Sequence, residues 1–77
     1  MAIWHNMLME CLFAKRLREL REEKQLGQGA LGVLVNVSQA AVAKWESGDR
    51  EPTFEMLMRL CDIFDVTADY LLGRASD

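Results

Sequence analysis

The sequence predicts an all-α domain built from five helices. Its 77 residues suffice for one domain, near the size at which a single hydrophobic core is just adequate. Helix-forming residues are abundant, proline occurs once and glycine five times, and no stretch shows the alternating β-branched pattern of a strand. Because most apolar residues are needed for packing, little of the chain remains for a catalytic cleft.

The first helix is predicted over residues 13–24. Its apolar residues Phe13, Leu17 and Leu20 recur every three or four positions, which places them on one face of a helix. The charged residues between them are typical of a solvated face with weak pairs four positions apart. This pattern predicts a long amphipathic helix.

Residues 1–12 form an apolar leader in which Glu10 is the one charged residue. One interpretation is that the leader extends the first helix and covers part of the core. The other is that it forms a self-association surface, since exposed apolar patches usually mark contacts. A native translation start at Met7 or Met9 is a further alternative, and the sequence alone does not decide among them.

The second helix is predicted over residues 27–35, although its composition is poor for a helix. Gly27, Gly29 and Gly32 lie within six positions, and an interior glycine costs about 1 kcal/mol relative to alanine. Tertiary packing must therefore hold this helix. Gly32 fits a place where another helix crosses at close range, whereas Gly29 has no such explanation. The predicted buried face comprises Leu31, Leu34 or Val35, and Val37.

The third helix begins after a very short turn. Asn36 tolerates the left-handed conformation that such a turn needs, and the Ser38 hydroxyl can cap the helix that follows. Val42 and Trp45 share a face that can be buried, and Gly48 can end the helix. Two short helices joined so tightly must meet at a large angle, which is the helix-turn-helix arrangement.

Two more helices complete the domain. Thr53 is the expected N-cap of the fourth helix, and Thr67 that of a short fifth helix that ends at Gly73. Residues 75–77 are the expected tail. The apolar residues assigned to a broad inward face of the fourth helix are Phe54, Leu57, Met58, Leu60, Cys61 and Phe64.

The charge of the chain is unevenly distributed. The net charge of −3 disfavours a generic nucleic-acid binder, because affinity for phosphates depends on Lys and Arg. However, residues 13–50 carry seven basic and five acidic side chains, a net +2, whereas residues 51–77 carry a net −4. The chain thus has a mildly basic front and an acidic back.

Several functional classes are disfavoured. His5 has no partner at metal-site spacing, and no constellation of catalytic residues or phosphate-binding loop is found, so neither a metal, a cofactor nor an enzymatic activity is expected. Cys11 and Cys61 are interpreted as unpaired buried thiols, which fits a reducing, cytoplasmic location. No stretch has the length of a membrane span or the features of a secretion signal.

Four segments, in order and at their spacing, make the chain resemble the Cro/CI-type helix-turn-helix family, also called XRE or lambda repressor-like. The resemblance covers residues 13–74 and omits the leader. The segments are residues 18–24, Gln28, residues 37–48 and residues 66–73.

The resemblance implies that the third helix is the recognition helix. Gln39, Ala40 and Lys44 match the positions that contact bases: glutamine can pair with an adenine edge, lysine with guanine O6 and N7, and an alanine methyl with thymine. The implied structural salt bridge joins Arg21 and Glu46. The positions implied to contact the DNA backbone are Gln28, Ser38, Ser47, Gly48 and Arg50.

The function implied by the resemblance is a sequence-specific regulator of transcription that binds double-stranded DNA. We expect a repressor that inserts the third helix in the major groove as a homodimer, paired through the leader or through the last helix. Asp49 and Glu51, which flank Arg50, should weaken binding by a monomer. The alternative is a protein-interaction module or antitoxin-like protein with weak DNA binding, to which the acidic back and apolar leader point.

Overall fold

Five helices connected by short turns make up the protein in a computed structural model. The structure describes the backbone of residues 2–74 and the side chains of residues 12–74. The helices are α1 (Ala2–Glu23), α2 (Gln28–Val35), α3 (Gln39–Ser47), α4 (Phe54–Phe64) and α5 (Ala68–Leu72). None of the described residues forms a strand, so the predicted all-α, five-helix fold is confirmed.

Some expectations concern residues at the two ends of the chain. The backbone of the leader from Ala2 onward belongs to α1, which begins well before the predicted Phe13. The side chains of His5 and Cys11 and the tail 75–77 lie outside the described residues, and the division into leader, domain and tail stays a prediction. Along the described part of the chain, no helix is both long and apolar enough to cross a membrane.

Apolar side chains from all five helices meet in one core. α1 contacts α3 and α5, α2 contacts α3 and α4, and α4 contacts α5, so that every helix packs against two others. Burying each large apolar side chain contributes about 1.5–3 kcal/mol. The buried core residues are Phe13, Leu17, Leu20, Leu31, Val35, Val42, Trp45, Leu60, Phe64 and Leu71.

The helix ends follow the predicted local signals. The Ser38 hydroxyl accepts a hydrogen bond from the Ala41 N–H at 3.1 Å, and Thr53 and Thr67 cap α4 and α5 in the same way. Asn36, at φ 63°, adopts the expected left-handed conformation, and so do Gly48 and Gly73. Since these signals act over a few residues, the sequence predicts them well.

Gly32 permits a close contact between α2 and the turn that follows it. A Cβ atom at this position would lie 2.6 Å from the Val37 carbonyl oxygen and 3.3 Å from the Ser38 carbonyl group. The Val37 N–H also donates to the Gly32 carbonyl oxygen at 2.8 Å. The close approach was predicted, but it involves the turn backbone and not a crossing helix.

The structure decides one open alternative about apolar faces and corrects one prediction. On α2, Val35 is buried whereas Leu34 is exposed, and the helix begins at Gln28 with Gly27 as its N-cap. On α4, Phe54 and Met58 are 87% and 67% exposed. They lie about 120° and 160° around the helix from the buried Leu60 at 3.6 residues per turn, so they cannot face the same core. The inward face of α4 is therefore narrower than predicted.

Gly32→Ala should destabilise the fold, and Gly29→Ala should not. The added methyl group at position 32 meets backbone atoms that cannot move freely, which should lower the free energy of unfolding by about 1–3 kcal/mol. At position 29 the nearest atom would be Gln39 Cβ at 3.9 Å, an ordinary contact, so the better helix propensity of alanine should add up to about 1 kcal/mol. Urea unfolding of both variants measures this difference, and equal effects would contradict it.

Candidate nucleic-acid interface

The outer face of α3 is free of the core. Gln39, Ala40 and Lys44 are all exposed, whereas Val42 and Trp45 on the other side of the helix are buried. Ala40 and Lys44 are four residues apart and therefore neighbours on the helix surface. All three residues predicted to contact bases are thus accessible to solvent, and two of them are neighbours on the helix.

A chain of hydrogen bonds links this surface to the interior. Gln39 Nε2 donates to Gln28 Oε1 at 2.7 Å, and Gln28 Nε2 donates to Glu46 Oε1 at 3.1 Å. Glu46 in turn accepts from Arg21. We call Arg21, Glu46, Gln28 and Gln39 the polar network; it connects α1, α2 and α3.

The ion pair at the inner end of the polar network is bidentate. Arg21 Nε lies 2.7 Å from Glu46 Oε2, and Arg21 Nη2 lies 3.0 Å from Oε1. Arg21 Nη1 also donates to the Leu26 carbonyl oxygen at 2.8 Å, just past the end of α1. The Glu46 side chain is only 1% exposed and that of Arg21 12%. Arg21 and Glu46, the pair that the resemblance implies, are therefore in contact. Their hydrogen bonds link α1, α3 and the α1–α2 turn.

The hydrogen-bonding and charged partners of Glu46 keep its carboxyl group ionised. Burial raises the pKa of its carboxyl group, but hydrogen bonds from Arg21 and Gln28 and the charges of Arg21 and Arg18 together lower the pKa below its ordinary value of 4.5. The hydrogen bond to Glu46 raises the pKa of Arg21. Both groups are consequently ionised at neutral pH.

The start of α2 is suited to an anion. Gly27 caps the helix without a side-chain hydrogen bond, and the first turn holds no acidic residue. The N–H groups of a first helical turn point outward and carry partial positive charge. The half-buried Gln28 lies at this end, so its amide is close to a place where a phosphate could bind.

A second part of the surface lies at the end of α3. The Ser47 hydroxyl donates to the Lys44 carbonyl oxygen at 3.1 Å, and Gly48 is exposed with open space where a Cβ would be. A cavity of about 580 Å³ opens here. Its lining consists of Ala14, Lys15, Arg18, Glu19, Glu46, Ser47 and Gly48.

Lys15 and Arg18 in this cavity were missed as candidate site residues. From the sequence alone, the charges of α1 are typical of a solvated face, because nothing in the local pattern distinguishes such a face from a binding surface. Arg18 Nη2 donates to the Glu46 carbonyl oxygen at 3.4 Å, and Arg18 Nε lies 3.6 Å from Glu46 Oε1. Only the folded structure places these basic groups beside Ser47 and Gly48.

The other predicted site residues lie on the surface without being joined to the polar network. Ser38 is exposed and its oxygen caps α3, and Arg50 is exposed between Asp49 and Glu51. Within residues 12–74, no group of three or more His, Cys, Asp or Glu side chains lies together in a way that could hold a metal ion.

The sequence is similar to known proteins over most of its length. Residues 17–71 match the helix-turn-helix family model. The chain is 42% identical over 59 residues to the transcriptional regulator AnsR of Bacillus subtilis, a match that covers 77% of this chain and 51% of AnsR. It is 38% identical over 61 residues to repressor protein C2 of Salmonella phage P22, covering 79% of this chain and 28% of that protein. The chain thus spans about half the length of these curated relatives or less.

Solved structures show the same arrangement of helices. The P22 c2 repressor, crystallised in complex with a synthetic operator, matches with a TM-score of 0.78 and 36% identity over 83% of this chain and 97% of that one. A restriction-modification controller protein from Aeromonas hydrophila matches with a TM-score of 0.72 and 31% identity over 80% of this chain and 94% of that one. Both likenesses extend over 80% or more of this chain and over nearly the whole of the other chain.

The contribution of Glu46 to stability should depend on pH. Because its pKa is lowered in the folded state, its stabilisation is fully present above the ordinary value and is lost as pH falls through the folded pKa. We therefore expect Glu46→Gln to be less stable than the parent at pH 7, with the difference narrowing below pH 4.5. Chemical unfolding across this pH range measures the difference.

The matched control is Glu55→Gln. This carboxylate forms an exposed pair with Arg59 at 3.1 Å, and such pairs contribute about 0–1 kcal/mol. Its substitution should change the free energy of unfolding much less than Glu46→Gln at pH 7. A similar loss in both variants would contradict the special role of the buried carboxylate.

Proposed function

Because the chain belongs to the Cro/CI-type helix-turn-helix family, we propose that it is a sequence-specific DNA-binding regulator of transcription that inserts α3 in the major groove of a duplex. The observation that carries this proposal is the outer face of α3, where Gln39, Ala40 and Lys44 are exposed beside the start of α2. A major groove admits one α-helix, whose exposed side chains then reach the base edges.

The base contacts follow from the chemistry of these three side chains. Gln39 presents an amide to an adenine edge, and Lys44 donates to guanine O6 and N7. Ala40 offers its methyl group to the methyl of a thymine. Only three side chains are proposed to contact bases, so part of the specificity comes from the shape of the duplex.

The contacts with the DNA backbone lie on either side of α3. The start of α2 and the Gln28 amide receive one phosphate, while the loop after α3 meets the backbone across the groove. Lys15 and Arg18 add positive charge beside that loop. The full set of proposed backbone contacts is Gln28, Ser38, Ser47, Gly48 and Arg50, with Lys15 and Arg18.

The regulatory effect proposed is repression by occupancy of a promoter. A protein bound across the major groove excludes other proteins from the same DNA, and the P22 relative is itself named a repressor. This role needs no catalysis and no cofactor, so we propose that the domain is not an enzyme. Its site of action is the cytoplasm, where the DNA of a bacterium or phage would be found.

We propose that the regulator acts as a homodimer. One copy offers a small surface for reading bases, and acidic residues flank Arg50, so a second copy on the same duplex would raise the overall affinity. Of the two surfaces expected to pair, α5 has Leu71 buried and Tyr70 and Leu72 partly buried against the core. We take the leader as the pairing surface to be tested first.

A second candidate function is a protein-interaction module. The observation that favours it is the pair Phe54 and Met58, whose apolar side chains are exposed in the acidic back of the chain, residues 51–77. Exposed apolar groups of this size often mark contacts with another protein. An antitoxin-like protein would combine such a contact with DNA binding.

The proposed base contacts can be tested on a duplex selected by the protein from random sequences. Gln39→Ala and Lys44→Ala should each reduce the preference for the selected sequence by about 1–3 kcal/mol, at the base pair that each residue reads. Binding titrations against duplexes with single base changes, at two salt concentrations, measure this effect.

Two variants serve as controls for these titrations. Arg50→Ala should weaken binding to all duplexes about equally and reduce the salt dependence, because it contacts phosphate. Arg59→Ala removes the same charge from the exposed face of α4 and should change little. If no duplex is selected, or if the Gln39→Ala/Lys44→Ala double variant keeps the parent preference, the regulator hypothesis is wrong and the interaction module is favoured.

The dimer hypothesis predicts the stoichiometry and symmetry of the complex. The selected duplex should contain two half-sites related by a two-fold axis, about 10 base pairs apart centre to centre. Sedimentation of the complex should give two chains per duplex, and a chain lacking residues 1–12 should bind with weaker cooperativity. One chain per asymmetric duplex would contradict the homodimer.

A further inference from the structure

The polar network has a fixed direction of hydrogen bonding. Glu46 is buried, and its two carboxylate oxygens receive three short N–H contacts, two from Arg21 and one from Gln28. An ionised carboxylate can only accept hydrogen bonds. The group that touches Glu46 must therefore present a donor.

This requirement determines how the Gln28 amide is turned. Its Nε2 must face Glu46, which places its Oε1 toward α3, where it accepts from Gln39 Nε2 at 2.7 Å. A reversed Gln28 amide would put its oxygen against the Glu46 carboxylate and its NH2 group against the Gln39 donor. Both contacts would then be repulsive, so the direction passes from Glu46 through Gln28 to Gln39.

The direction of these hydrogen bonds determines which donor and acceptor groups of Gln39 remain free to contact a base. A glutamine amide has two N–H donors and one carbonyl acceptor, and one N–H is given to Gln28. One donor and one acceptor remain side by side. Adenine offers the complementary pair, N7 as acceptor and N6 as donor, whereas guanine offers two acceptors, O6 and N7.

We propose that Glu46 and Arg21 are positioning residues for base recognition, which act through Gln28 to turn the Gln39 amide so that it selects adenine over guanine. This inference rests on the proposed function. Arg21 is largely buried and holds Glu46 in place with two hydrogen bonds, and Glu46 has no hydrogen bond to Gln39. The ion pair thus contributes to specificity in addition to its part in the fold.

Selection against guanine depends on the bond between the two glutamines. An unrestrained Gln39 could direct both of its N–H groups at the guanine edge. With one N–H committed to Gln28, its carbonyl oxygen would face guanine O6, and two acceptors in contact repel. Loss of the polar network should therefore make guanine more acceptable and reduce the preference for adenine. It should not lower the affinity for all sequences alike.

The test compares base preferences on the duplex selected by the parent protein. The base pair read by Gln39 is identified as the one whose replacement no longer changes the affinity of Gln39→Ala. This pair is then changed from A·T to G·C, and the affinities for both duplexes are measured for the parent, Gln28→Ala and Glu46→Gln. We expect the parent to prefer A·T by roughly 5- to 150-fold. In Gln28→Ala this ratio should fall several-fold, and Glu46→Gln should show a smaller fall in the same direction.

The base pair read by Lys44 provides the internal control. Its preference should stay unchanged in both variants, because Lys44 is not part of the polar network. Equal losses at both base pairs, or a general loss of affinity with the adenine preference intact, would show that Glu46 and Gln28 act only on stability or on phosphate binding. Failure of the parent to prefer any duplex would instead overturn the proposed function itself.

A measurement on the free protein separates positioning from folding. Glu46→Gln conserves the size of the side chain, and its fold can be checked by circular dichroism. In nuclear magnetic resonance spectra, the side-chain amide signals of Gln39 should shift in this variant, although position 46 does not contact Gln39. Unchanged Gln39 signals in a folded Glu46→Gln protein would overturn the proposal without any DNA.

Discussion

The buried carboxylate of Glu46 is the contact on which the arrangement of the first three helices depends. A buried charge is costly unless it is paired and hydrogen-bonded, and Glu46 meets that cost with groups from α1 and α2 at once. Any change in the angle between these helices would separate the carboxylate from one of its partners. The helix-turn-helix is therefore held in place by electrostatics as well as by the apolar contacts of Val42 and Trp45.

The distribution of charge matters more for the proposed DNA binding than the net charge of −3. A phosphate interacts mainly with the groups close to it. Here the start of α2 and the basic groups near Ser47 lie on either side of α3. The excess negative charge lies in the last third of the chain, since residues 51–77 carry a net charge of −4 and residues 13–50 a net charge of +2. Overall charge would then affect the rate and salt dependence of association more than the identity of the site.

Local features of the fold could be predicted from the sequence, and long-range ones only in part. The caps at Ser38 and Thr53 depend on a few neighbouring residues, and so does the left-handed Asn36. The exposure of Phe54 depends on which arc of α4 faces the other helices, and residue spacing alone does not fix that arc. The contact between Gln28 and Gln39 requires the crossing angle of α2 and α3, so the sequence suggested separate roles for the two residues and not their bond.

The two faces of α3 have different tolerance to change, which matters for altering the target of such a domain. Ala40 and Lys44 are exposed and lie outside the polar network, so substitutions there should leave the scaffold intact and, if α3 reads DNA as proposed, change the DNA preference. Gln39 differs because its amide is bonded to Gln28. A redesign at position 39 must therefore choose residues 28 and 39 together, as a matched pair, while the ion pair behind them is kept.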